Sequence, residues 1–179
     1  MMRLSAVLSL ALLFNSALAV FADEAYHIDY HHALLGLPQE HTTFFHQPFP
    51  GSKASLIYTL SDKLVLGAVN PKDGEIVWRQ SLASPNATRG LLRAGEEQDT
   101  VVTAVGNQIA AWSASDGRLA WNKEFTSGLI EDLEIVEVKD GSVPSGPKDV
   151  LVLFGGSSPI IRLLDGKSGH VEWNFEDNR

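Results

Sequence analysis

The sequence predicts an all-β chain: an incomplete β-propeller of about three four-stranded blades, preceded by a signal peptide. Three observations carry this. A turn, a short strand and a terminal tryptophan recur as Asn70-Pro-Lys-Asp-Gly-Glu-Ile-Val-Trp78, Ser113-Ala-Ser-Asp-Gly-Arg-Leu-Ala-Trp121 and Leu164-Asp-Gly-Lys-Ser-Gly-His-Val-Glu-Trp173. Each copy sets a glycine (Gly74, Gly117, Gly169) four residues ahead of its tryptophan, and the tryptophans are spaced 43 and 52 residues apart. A signal at a period of roughly 40–50 residues marks one blade per repeat. Between the copies lie short apolar, β-branched runs punctuated by Gly, Asn and Asp, with no sustained helical period. In each turn Asp-Gly is expected to supply the φ > 0 residues of a hairpin, and the tryptophan offers a flat surface to the next blade.

The start of the chain fixes the compartment. Met1-Met-Arg3 is a short basic opening, Leu4 to Phe14 is almost wholly apolar, and Ala17-Leu-Ala19 is a small-x-small cleavage site, with a second at Val20-Phe-Ala22. This is a secretory signal peptide over residues 1–22, too short for a comfortable membrane span. Residues 23–50 are expected to form an N-terminal strand and loop, weakly fixed, with Tyr26–Tyr30 spaced as a ring-closing strand and one short strand near Thr42–His46. The partial propeller is placed at 51–179, with blades at about 51–82, 90–125 and 129–176.

Within that frame the strands follow in order. Ala54–Leu60, Lys63–Val69 and Glu75–Gln80 build the first blade. Gly90–Ala94, Thr100–Val105, Gln108–Ser113 and Arg118–Phe125 build the second, with Gly106-Asn107 as a hairpin turn. Leu133–Val138, Asp149–Phe154, Ile160–Leu164 and His170–Phe175 build the third. A Gly- and Pro-containing loop at Lys139–Lys148 accounts for the longer second period. Leu129–Val138 has some helical spacing, but its β-branched content predicts strand. The polar loop Ser84–Arg89 carries Asn86-Ala-Thr88, an N-glycosylation acceptor expected to be used in a secreted chain.

Composition excludes several functions. The net charge of −8 argues against a grip on nucleic-acid phosphates, which needs a basic surface. With no cysteine, disulfides, thiolate zinc sites and thiol catalysis are impossible. Five histidines crowd the N-terminal part: His27, His31, His32, His41 and His46. A metal site needs three or four ligands converging at about 2.0–2.2 Å, yet His31 and His32 point to opposite faces of an extended chain. No Gly-x-Ser-x-Gly elbow occurs. Gly155-Gly-Ser-Ser158 lacks the lysine and following helix of a phosphate loop. No catalytic, cofactor-binding or metal-binding residue is expected, no cofactor and no small-molecule substrate. The repeat tryptophans read as packing residues.

The spacing of Gly74 to Trp78, Gly117 to Trp121 and Gly169 to Trp173 resembles the quinoprotein-type propeller repeat. Pro50-Gly-Ser-Lys53, Leu64-Val-Leu-Gly-Ala-Val-Asn70 and Asp73-Gly-Glu-Ile-Val-Trp-Arg79, in that order behind a signal peptide, resemble the family of the first subunit of the endoplasmic reticulum membrane protein complex, in a fungal-looking form. The resemblance spans roughly the whole chain. It implies a non-catalytic lumenal scaffold, membrane-associated through a distant C-terminal anchor or through partner subunits. It also implies other subunits of a membrane-embedded complex as partners, and client membrane proteins met indirectly during insertion and stabilisation. This chain departs from the family at Asp29-Tyr30, where Asp-Trp is common, and it stops soon after its third repeat tryptophan. A fragment, a truncated product and an incomplete gene model all fit that end.

Two other readings follow from the repeat. A quinone-dependent dehydrogenase would need metal ligands and a catalytic Asp from a complete ring of blades. A propeller assembly scaffold of another secretory complex, of the bacterial outer-membrane type, would be non-enzymatic. The glycosylation triplet and the absence of a lipoprotein cysteine argue against the outer-membrane type.

Overall fold

A computed structural model describes residues 34–82, 87–126, 128–137 and 147–176. The signal peptide, Tyr26–Tyr30, His27, His31, His32, Asn86 and most of the 139–148 loop lie outside them. Twelve strands are described: β1 Pro38–His46, β2 Leu56–Ser61, β3 Val65–Val69, β4 Ile76–Ser81, β5 Gly90–Ala94, β6 Thr100–Val105, β7 Gln108–Ser113, β8 Leu119–Glu124, β9 Ile130–Val136, β10 Asp149–Phe154, β11 Ile160–Leu164 and β12 Val171–Glu176. They form three four-stranded antiparallel sheets, β1–β4, β5–β8 and β9–β12, each paired in chain order. No helix occurs among the described residues, and none is long and apolar enough to cross a membrane. Within Leu129–Val138, Ile130–Val136 is strand, as its β-branched residues predict, and Val138 lies outside the described residues.

Alternating burial explains the stacking of the sheets. In β2 and β3, Tyr58, Leu60, Leu66 and Ala68 turn one way and bury against Leu92, Val101 and Val105 of the second sheet. In β6 and β7, Val102, Ala104, Ile109 and Ala111 turn the other way and bury against Val150, Val152, Phe154 and Leu164 of the third. The middle sheet therefore has two apolar faces, and its strands β6 and β7 read as nearly continuous apolar runs. Phe125 and Phe154 meet edge-on at 5.2 Å, with the Arg162 guanidinium 5.1–5.2 Å from both rings.

The first blade starts earlier than residue 51. β1 pairs with β2 through Thr43↔Thr59, Phe44↔Tyr58 and Phe45↔Ile57, the two threonine hydroxyls hydrogen-bond at 2.8 Å, and Phe44 stacks on Tyr58. The short strand expected near Thr42–His46 is present but longer, starting at Pro38, and it is the blade's first strand rather than part of a weakly fixed segment ahead of it. An irregularity between Pro38 and Thr43, with His41 at φ 58°, breaks the alternation that would have announced it. Ahead of this strand Leu35, 4 % exposed, is seated on Gly67, where a Cβ would come within 2.4 Å of Leu35 Cδ2. Asp62 N donates to Leu37 O at 2.7 Å, and Leu37 N donates to Asp62 Oδ1 at 3.0 Å.

Candidate functional site

The three repeat turns are built alike. Asn70, Ser113 and Asp165 each donate their backbone N–H to the residue five positions on, and accept from Gly74, Gly117 and Gly169 respectively. Only the glycines have φ > 0, at 75°, 70° and 67°; Asp73 and Asp116 do not share that conformation. The aspartates act differently from expectation. Asp73 Oδ1 accepts from Glu75 N, Asp116 Oδ1 accepts from Arg118 N, and Ser168 Oγ does the same for His170 N. A short polar side chain thus satisfies the first backbone donor after the glycine. The Ser113 hydroxyl and the Arg118 N–H hold the Asp116 carboxyl below the usual carboxylate range.

After each turn the strand bulges one residue before the tryptophan. Ala68 pairs with Trp78 but Val69 with Ile76, Ala111 with Trp121 but Trp112 with Leu119, and Leu163 with Trp173 but Leu164 with Val171. A bulge re-aims the side chain that follows it. Trp78 Nε1 donates to Ala114 O of the second blade at 2.8 Å, and Trp121 Nε1 donates to Gly166 O of the third at 2.9 Å. Each acceptor lies three residues before the repeat glycine of its blade. The rings cover those glycines so closely that a Cβ on Gly117 or Gly169 would meet the indole at 2.5 Å. Trp78 and Trp121 are buried at this contact. Trp173, at the same repeat position, is 51 % exposed and stacks with Phe175, 52 % exposed.

Two further groups reinforce the first junction. Burial pushes the Tyr58 phenol well above its ordinary range, so it stays protonated and donates to Ala114 O at 2.9 Å. Gln80 Nε2 reaches the Gly117 carbonyl at 2.9 Å. From the end of β1 through the β5–β6 and β9–β10 connections, His46 Nε2 lies 2.8 Å from Gln98 O, and Gln98 Oε1 accepts from Lys148 N at 2.7 Å, so one thread ties all three blades. Burial lowers the His46 pKa, and the Gln98 bond partly offsets it.

The groups with chemical potential are dispersed or already engaged. His41 is paired with Glu40 at 3.3 Å in solvent. A cleft of about 310 Å³ between the inner strands is lined by both acids and bases, including Glu40, Arg89, Arg93 and Glu131. Asp149, Asp165 and Glu172 bring carboxylate oxygens within 4.8 Å of one another, a grouping the sequence reading missed because it spans three strands' ends. Two of the three serve the turn: Asp149 Oδ1 accepts from Gly166 N and Asp165 Oδ1 from Ser168 N. Gly155 and Gly156 form the β10–β11 turn, as their lack of phosphate-loop context predicts.

The repeat architecture has relatives. A family model described as the EMC1 N-terminal beta-propeller domain matches residues 19–179. The chain belongs to this family. It is 30 % identical over 165 residues to the chicken (Gallus gallus) ER membrane protein complex subunit 1, covering 91 % of this chain and 15 % of that protein. The Xenopus laevis subunit of the same name is 22 % identical over 126 residues, covering 69 % and 12 %. The chain thus spans less than a sixth of the curated relatives it matches. Among solved structures it is similar to the quinohemoprotein alcohol dehydrogenase from Comamonas testosteroni (17 % identity, TM-score 0.47, 79 % of this chain and 23 % of that one). It is also similar to BamB from Moraxella catarrhalis (19 %, TM-score 0.43, 71 % and 34 %). Membership of the EMC1 N-terminal propeller family and three antiparallel blades with one docking geometry establish the β-propeller class.

Proposed function

We propose that this chain is a non-catalytic lumenal interaction module of a membrane-protein insertion and chaperone complex in the endoplasmic reticulum. The observation that carries this reading is the use made of the repeats. Trp78, Trp121, Gly117 and Gly169 all serve blade-to-blade docking, so the most regular chemistry in the chain holds an architecture together. Propellers of this kind offer rims and faces to other proteins, and function is argued from such surfaces rather than from the fold alone. Family membership supplies the complex. The apolar stretch at Leu4–Phe14 supplies entry to the lumen. Exposure of Thr88 in the inter-blade loop supports glycosylation at Asn86.

The test is to express the tagged chain, with its own N-terminus, in a eukaryotic secretory host. Microsomes are treated with protease and the detergent extract is run on a native gel. A protease-protected band that co-migrates with, and co-purifies, the other subunits of the host's ER membrane complex supports the reading. A chain that is secreted free of them counts against it. Dye-linked alcohol or sugar oxidation that depends on calcium and quinone would replace the scaffold by the dehydrogenase reading.

A further inference from the structure

The two blade junctions are alike at their tryptophans and differ just beyond them. Phe125 follows Trp121 at the distance at which Leu82 follows Trp78. Each donates its backbone N–H to the connection between the second and third strands of its own blade, Leu82 to Leu64 O at 2.8 Å and Phe125 to Asn107 O at 2.9 Å. Register fixes the other equivalents. Arg162 stands one residue before the partner of Trp173, and Ala110 one residue before the partner of Trp121. Phe154 in β10 takes the place of Val105 in β6, since Leu151 and Val102 pair with those same partners. Lys123 takes the place of Gln80, each next but one after its tryptophan. In the first junction Leu82, Val105 and Ala110 border a cavity of about 170 Å³. In the second, the Phe125 and Phe154 rings hold the Arg162 guanidinium at 5.2 and 5.1 Å. Docking of one blade on the next therefore does not require a cation at this place.

The charge there is unused. Among the described residues neither the Arg162 nor the Lys123 side chain is ion-paired or hydrogen-bonded. The acids on the adjoining strands turn to amides instead: Glu124 Oε1 accepts from Asn107 Nδ2 at 3.2 Å, and Glu176 Oε1 from Asn174 Nδ2 at 3.3 Å. Ring contacts engage the π face and satisfy none of the guanidinium N–H donors. Phe154 is fully buried and Phe125 nearly so, so the partly buried guanidinium lies against apolar surface, where a charged hydrogen bond competes less with water. Lys123, also partly buried, alternates along β8 with Trp121 and Phe125 and so faces the same junction. We propose that this junction, between β8 and β11, is a carboxylate-binding site that takes a glutamate or aspartate side chain from an acidic segment of a partner protein. Arg162, oriented by the two rings, is the forked donor to the planar carboxylate, and Lys123 supplies the second charge. Leu129 marks the ligand as a peptide rather than a free anion. It is 68 % exposed and is tied beside Phe154 by its carbonyl, which accepts from Gly155 N at 3.1 Å, so an apolar contact adjoins the cation. The site does not depend on the lumenal scaffold reading.

The probe is an acetylated, amidated octapeptide of glutamate with one central leucine, set against its glutamine counterpart and against inorganic phosphate. The full chain is produced with nitrogen-labelled arginine. Its Arg162 Nε–H resonance is assigned with Arg162→Gln and followed by NMR while the peptide is titrated, and light scattering reports mass. The glutamate peptide should shift this resonance and the glutamine peptide should not. Arg162→Gln should weaken binding roughly tenfold or more, as the loss of hydrogen bonds to a charged group does. Arg162→Lys keeps the charge without the fork and should recover only part of the loss. Lys123→Gln should weaken binding about threefold, the scale of a partly exposed ion pair. That variant installs the residue that Gln80 already provides in the first junction, so it keeps the test valid if Arg162→Gln loosens the fold. Lys72→Gln, which removes a cation on the first repeat turn, should change nothing. No shift with the glutamate peptide, equal binding of the two peptides, or binding untouched by both Arg162→Gln and Lys123→Gln overturns the proposal. So does phosphate that shifts Arg162 at the same concentration as the glutamate peptide. Dimerisation that Arg162→Gln abolishes overturns it in favour of a second copy as the source of the carboxylate.

Discussion

The indole of Trp121 lies on Gly169 of the following blade, and a Cβ at that glycine would come within 2.5 Å of the ring. The same glycine has φ 67°. Gly169→Ala therefore meets two obstacles at once. The left-handed conformation costs a non-glycine residue roughly 1–2 kcal/mol, and displacing the indole removes its hydrogen bond to Gly166 O and part of its burial. Gly51 isolates the first obstacle, having φ 79° with nothing within 4 Å of its would-be Cβ. In denaturant melts Gly169→Ala should lose clearly more stability than Gly51→Ala. Equal losses would mean the tryptophan contact contributes nothing.

The tryptophans themselves should divide by environment, not by blade. Trp78 and Trp121 are 8 % and 7 % exposed, so Trp→Ala at either should cost on the order of 3–5 kcal/mol. Trp173, half exposed in this chain, should cost far less. Urea midpoints of the three single variants, with m-values compared to check the denatured state, decide it. A Trp173→Ala loss matching the other two would show that its ring already has a buried partner.

Much of this was readable beforehand. Gly90–Ala94, Thr100–Val105, Gln108–Ser113, Asp149–Phe154 and Ile160–Leu164 are strands with those very bounds, because each is a short apolar run closed by Gly, Asn, Asp or Pro. Of β1 only Thr42–His46 was legible as strand, and not as part of the first blade, because His41 at φ 58° interrupts its period-two pattern. Packing of Trp78 and Trp121 on the next blade followed from the repeat. Their acceptors did not: Ala114 O and Gly166 O are backbone atoms, and any residue type supplies a carbonyl.

His46 gives the fold a pH dependence. It sits half-buried with Nε2 on Gln98 O and its ring edge-on to Tyr58 at 5.8 Å. Burial depresses its pKa below the ordinary value of about 6.5. The unfolded chain therefore binds the proton more tightly than the folded one. The stabilising contribution is complete above about pH 6.5 and is lost as pH falls through the depressed folded value. The melting temperature should drop between pH 7.5 and 5 by more in the wild type than in His46→Gln. Parallel curves would remove His46 from the account.

Glycosylation is checked separately from fold. The chain made in a eukaryotic secretory host should lose mass on endoglycosidase treatment, and Asn86→Gln should abolish the shift. Thr88→Ala, which removes the acceptor's hydroxyl residue, should do the same. An unshifted wild-type band would show that the triplet goes unused.

Leu35 and Gly67 form a pair whose coupling can be measured directly. Gly67 has no positive φ, so alanine there carries no backbone strain and should, by chain entropy, stabilise by about 0.4–1 kcal/mol if space allowed. Space does not allow it: the new methyl would lie 2.4 Å from Leu35 Cδ2 and 3.5 Å from its Cγ. Leu35 is buried, with its neighbours tied by Arg79 Nη1 donating to Leu34 O at 3.0 Å and by the Leu37–Asp62 bonds, so it has little freedom to step aside. Gly67→Ala alone should destabilise, and Leu35→Ala alone should cost on the order of 2–5 kcal/mol as a cavity opens. Together the added methyl fills part of the space the leucine vacates. The double variant should therefore be more stable than the sum of the single losses allows, with an interaction energy within the roughly 0.5–3 kcal/mol seen for residues in contact. Additive losses would mean that residues 34–37 do not rest on the first blade in solution.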